Sequence, residues 1–117
     1  MRIWSFVTSG LLAIMLGTAA EAHAFLDHAE PRVGSTVPTA PRELSLSFTQ
    51  KLEPAFSSVE VSDGNGARVD LGKPSVSASV MRVRLKQLSA GTYRVRWHVL
   101  SVDTHTTEGS FTFQVGQ

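Results

Sequence analysis

The chain has 117 residues, 11 Lys and Arg against 10 Asp and Glu, a net charge of +1 and no cysteine. So even a balance excludes binding to nucleic acid or an acidic membrane surface driven by bulk charge. Without cysteine there is no disulfide framework, so stability has to come from packing one small core.

Residues 1–22 read as a secretory leader. Arg2 supplies a positive start, Val7 to Ala20 is largely apolar, and Ala20-Glu21-Ala22 matches the small-x-small pattern of signal peptidase. The apolar run is shorter than the roughly 20 residues that a membrane span needs. A second register, Ala22-His23-Ala24, also fits the pattern, and cutting there would make Phe25 the first residue. Cleavage after Ala22 leaves residues 23–117, enough for one domain. No hydrophobic run in that part is long enough to span a bilayer, so an exported domain without membrane insertion is expected.

The remainder shows period-two alternation, the pattern of half-buried strands. Leu44, Leu46 and Phe48 share one face, as do Val59 and Val61. Asp63-Gly64-Asn65-Gly66 is a double turn signal suited to a hairpin or tight loop. Met81, Val83 and Leu85 form a third set, and Tyr93, Val95, Trp97 and Val99 a fourth. Phe111, Phe113 and Val115 complete the series. Pro31, Pro38, Pro41, Pro54 and Pro74 fall between these runs. The expected fold is all-β, an immunoglobulin-like Greek-key β-sandwich of about seven strands. Gly91-Thr92-Tyr93 resembles a tyrosine corner, and Trp97 is expected as a large inward anchor.

Two short pieces carry the chemistry. Cleavage after Ala22 would place His23 at a free amino terminus, where the α-amine and ring Nδ1 chelate one metal together. Asp103 and His105 are two positions apart, and in an extended segment such residues project to one face. The inward alternation stops after Val99, since Leu100 and Val102 are apolar at even positions, so the strand should bend near Ser101 and put the pair at a rim. Alone, Asp-x-His is a weak signal. Together with the His23 amine and ring it forms an N3O donor set that favours Cu(II), one ion per chain. Zinc prefers tetrahedral closure, often with cysteine. Met81, the one methionine after the leader, suits a core position better than a Cu(I) site. His98 alternates with Arg94 and Arg96 on a solvated face, and His28 reads as an exposed loop residue. No catalytic motif such as G-x-S-x-G or H-E-x-x-H is present.

The chain resembles the CopC family of periplasmic copper-binding proteins. The resemblance rests on His23-Ala24-Phe25-Leu26 leading to Glu30-Pro31, on Gly91-Thr92-Tyr93-Arg94-Val95-Arg96-Trp97, and on Ser101-Val102-Asp103-Thr104-His105 followed by Gly109-Ser110-Phe111-Thr112-Phe113. It implies a Greek-key sandwich with Cu(II) ligands at His23, Asp103 and His105, a periplasmic role in copper carriage, buffering or resistance, and an inner-membrane CopD-type copper protein as partner. Two departures stand out. Residues 64–80 contain no methionine, so the Cu(I) site of some members should be absent. Gln50 stands where some members carry a Glu. A non-catalytic binder is the expectation. The rivals are a copper-brace monooxygenase-like enzyme and a metal-free adhesion or assembly module.

Overall fold

This computed structural model describes residues 25–116. The leader, the cleavage bond and His23 lie outside the described residues. Eight strands follow one another: β1 (Leu26–Glu30), β2 (Thr36–Val37), β3 (Glu43–Phe48), β4 (Ser58–Ser62), β5 (Asp70–Ser77), β6 (Val80–Leu85), β7 (Gly91–Leu100) and β8 (Thr106–Val115). They form two four-stranded sheets, ordered β1-β3-β6-β5 and β2-β8-β7-β4. Among the described residues no helix is long and apolar enough to cross a membrane.

The alternating residues build the core as their spacing requires. Leu44, Leu46 and Phe48 from β3, Val59 and Val61 from β4, and Met81, Val83 and Leu85 from β6 are all buried. Facing the β3 and β6 side chains from the sheet that also holds β4 are Tyr93, Val95 and Val99 from β7 with Phe111, Phe113 and Val115 from β8. Each such side chain stabilises the fold by roughly 1.5–3 kcal/mol relative to an exposed one. Met81 is fully buried, in the core role expected of it.

Local signals also materialise. The Tyr93 hydroxyl donates to the Ser89 carbonyl at 2.6 Å, which is the tyrosine corner, and its ring stacks on Phe113 with centroids 5.6 Å apart. Asp63 Oδ1 accepts the amides of Asn65 and Ala67 at 2.9 and 3.0 Å, closing a tight loop in which Gly66 has φ +86°. That loop carries the chain from one sheet to the other. Asp70, at the start of β5, accepts the Val61 amide of β4 at 2.9 Å and takes both ends of the Arg68 fork at 2.8 Å.

Three expectations need correction. Pro74 lies inside β5, not between strands. It is tolerated because β5 is an edge strand whose register breaks between Leu71 and Ser75, so no interior ladder bond is lost there. His28 is exposed but belongs to β1, where a bulge between Leu26 and His28 interrupts the alternation. Trp97 is half-buried. Its indole meets Phe48 edge-on, with centroids 5.2 Å apart at 76°, and passes over Gly109 on the neighbouring strand.

Candidate metal centre

β7 and β8 pair in unbroken register from Gly91↔Val115 to Leu100↔Thr106. The five residues between them, 101–105, are therefore a hairpin loop at one end of the sandwich. Loops of this length are commonly built around a tight turn. Here the Thr104 amide donates to the Ser101 carbonyl at 2.9 Å, and the Ser101 amide donates to the His105 carbonyl at 2.9 Å. Thr104 has φ +71°, the left-handed region, which is unusual for a β-branched residue. Strain of this kind costs of order 1–3 kcal/mol and collects at functional sites.

This turn brings the predicted pair together. Asp103 Oδ1 and His105 Nδ1 are 3.4 Å apart, and their side chains are 43% and 47% exposed. The route differs from the expected one: the segment is not extended, and the left-handed Thr104 aligns the two side chains. The bend near Ser101 is where the broken alternation put it. The Ser101 hydroxyl donates to Asp103 Oδ1 and, more than any other contact, holds that carboxyl below the usual carboxylate range against desolvation, with His105 acting in the same downward direction. Asp103 is thus an anion at neutral pH. An exposed carboxylate beside an imidazole suits borderline divalent ions such as Cu(II). No group of three His, Asp or Glu converges among the described residues, so this pair is an incomplete ligand set without a donor from elsewhere.

Backbone bonds show which part of the chain lies next to the turn. The Phe25 amide donates to Thr49 Oγ1 at 2.9 Å, and the Thr49 amide returns a bond to the Phe25 carbonyl at 2.9 Å. Two residues on, the Lys51 carbonyl accepts the Val102 amide at 2.9 Å, and Leu52 bridges to Ser101. Residues 49–52 therefore touch both the start of β1 and the loop, and Gln50 lies in that connecting segment.

The other histidines are elsewhere. His98 is exposed on the outer face of β7, opposite Ser58 and Glu108. It borders a shallow groove of about 530 Å³ that also includes Arg94, Arg96 and Glu60, and that does not include the turn. His28 Nδ1 is 3.1 Å from Asp27 Oδ2, in β1. Sequence reasoning missed Ser101. The available signal was position: 101 continues the inward series 93, 95, 97, 99, where an apolar residue is the default.

A two-sheet β-sandwich with an acid–histidine pair in the last hairpin loop is the class that fold and site define. The chain belongs to the CopC family, since the model of the CopC domain matches residues 26–116. Copper resistance protein C of Xanthomonas campestris pv. juglandis is 35% identical over 112 residues, covering 88% of this chain and 87% of that protein. Copper transport protein CutJ of Bacillus subtilis is 30% identical over 111 residues, which are 92% of this chain but only 20% of CutJ. The crystal structure of CopC from Methylosinus trichosporium OB3b superposes with a TM-score of 0.75 at 31% identity, covering 80% of this chain and 94% of that one.

Proposed function

We propose that the chain, processed after Ala22, is a periplasmic, non-catalytic Cu(II)-binding protein that carries or buffers copper. One ion takes the α-amine and Nδ1 of His23, the imidazole of His105 and the carboxylate of Asp103. The observation that carries this reading is the Asp103–His105 pair, preformed at 3.4 Å on a turn that shares residues 49–52 with the start of β1. Phe25, two residues after His23, is pinned to that same segment. A charged carboxylate in the donor set favours Cu(II) over Cu(I), and the buried Met81 offers no thioether. Relatives named for copper resistance and copper transport agree with this assignment. In CutJ the matched segment is covalently joined to a much longer chain. That arrangement fits a role in which this protein passes copper to a separate, CopD-type protein of the inner membrane.

The test is a competition titration of protein beginning at His23 against a Cu(II) chelator. One equivalent should bind. His105→Ala, Asp103→Ala and one residue added before His23 should each weaken binding by more than about 100-fold, beyond what loss of an outer partner costs. His98→Ala should leave it unchanged. Undiminished binding after the amino-terminal extension would refute the ligand set.

A further inference from the structure

We propose that Ser101 is the positioning residue of the copper turn, using both of its donors to hold Asp103 and His105 in the binding arrangement before metal arrives. This rests on the Cu(II) reading above. Ser101 is 0% exposed, and with Ser57 it makes up the buried polar residues among those described. Just past the end of β7, it continues that strand's inward register, whose preceding members are Tyr93, Val95, Trp97 and Val99. A hydroxyl at such a place is costly unless bonded. Its partners are the two residues of the site: the hydroxyl donates to Asp103 Oδ1, and the amide donates to the His105 carbonyl at 2.9 Å. Ser101 Oγ also lies 3.2 Å from that carbonyl, but a hydroxyl has one proton, and the amide already serves the carbonyl.

Ser101 is itself fixed from below. It bridges to Leu52, and the flanking Leu100 carbonyl and Val102 amide bond to Glu53 and Lys51 at 2.8 and 2.9 Å. The anchor is therefore part of the rigid floor, whereas Asp103 and His105 project into solvent. With the hydroxyl bonded to one carboxylate oxygen, the strongest of the contacts that carboxylate accepts, its rotation is restricted. Without the hydroxyl, Asp103 keeps only its weaker contacts with His105 and has to be ordered further at the moment of binding, so affinity falls. Outer partners that orient a metal ligand are typically worth 10–100-fold in affinity.

Protein beginning at His23 is measured as parent, Ser101→Ala, and the isosteric pair Ser101→Thr and Ser101→Val, which differ in a methyl replacing the hydroxyl. Folding of each metal-free variant is checked by circular dichroism, and Cu(II) is then titrated against a competing chelator with the electron paramagnetic resonance spectrum recorded. Ser101→Ala should weaken Cu(II) about 10–100-fold and change the copper hyperfine pattern, while Ser101→Thr should bind more tightly than Ser101→Val. If Ser101→Ala does not fold, the Thr and Val pair decides. Equal affinity and identical spectra with and without the hydroxyl would overturn the positioning role while the copper site stands. A parent that takes up no Cu(II) would overturn the site itself and this role with it.

Discussion

Gly109 stands where β8 passes beneath the Trp97 indole, and a Cβ there would lie 2.5 Å from Trp97 Cζ2 and 3.0 Å from Cε2. Neither atom belongs to a flexible side-chain end, because the indole is held edge-on against Phe48. Gly109→Ala should therefore destabilise the fold by about 1–3 kcal/mol, the usual cost of overpacking. Urea unfolding followed by far-ultraviolet circular dichroism measures it, and Trp97→Phe in the same chain should recover part of the loss. A neutral Gly109→Ala would mean that the indole moves aside freely. Gly109 has an ordinary backbone angle, so the requirement is space and not conformation.

At the scale of elements, the two sheets are tied by Asp70 as well as by the core. Its carboxylate starts β5 in one sheet, accepts the Val61 amide of β4 in the other, and receives the Arg68 fork. The Arg68 hydrogen bonds, then the Val61 amide, hold Asp70 below the usual carboxylate range against the effect of its burial. A lowered folded value means that this stabilisation is complete above the unfolded value of about 3.9 and is lost as pH falls through the lower folded one. Asp70→Asn should cost about 1.5–3 kcal/mol at neutral pH, as for hydrogen bonds to a charged group. The gap between parent and variant in urea midpoint should narrow as pH drops below 4 or so, because protonated Asp70 then resembles Asn. A gap that stays constant down to acid pH would show that the charge contributes nothing.

For the molecule as a whole, copper uptake should follow the protonation of nitrogen, not of the carboxylate. Asp103 is held in its anionic form by the Ser101 hydroxyl. Protons therefore compete mainly at the nitrogen donors, which bind the ion only when deprotonated, and a free α-amine titrates at about 7.7–8.0. Apparent Cu(II) affinity should fall steeply from about pH 8 to about pH 6, as read by competition titration, and a flat profile would exclude an amine ligand. Much of this architecture was legible in the sequence. Five strands declared themselves by strict alternation, because each buries one face. β1, β2 and β5 did not, since a bulge beside His28 and the register break around Pro74 scramble the period and β2, Thr36–Val37, is too short to show one. The Asp103–His105 pair was legible as spacing, but its geometry was not, because a left-handed Thr104 leaves no mark in residue type. The approach of Phe25 to the turn through Thr49 and Lys51 depends on pairing between distant segments, which no local pattern encodes.

Trp97 is the one tryptophan among the described residues, and its strand runs directly into the turn. Four positions of extended chain separate it from Ser101, about 13 Å at the usual rise of a strand. At the site proposed above, a paramagnetic ion such as Cu(II) should quench the emission of the indole. A closed-shell ion such as Zn(II) would leave it bright. On that proposal the folded domain would contain its own optical gauge of the bound metal, readable from emission intensity without any attached dye.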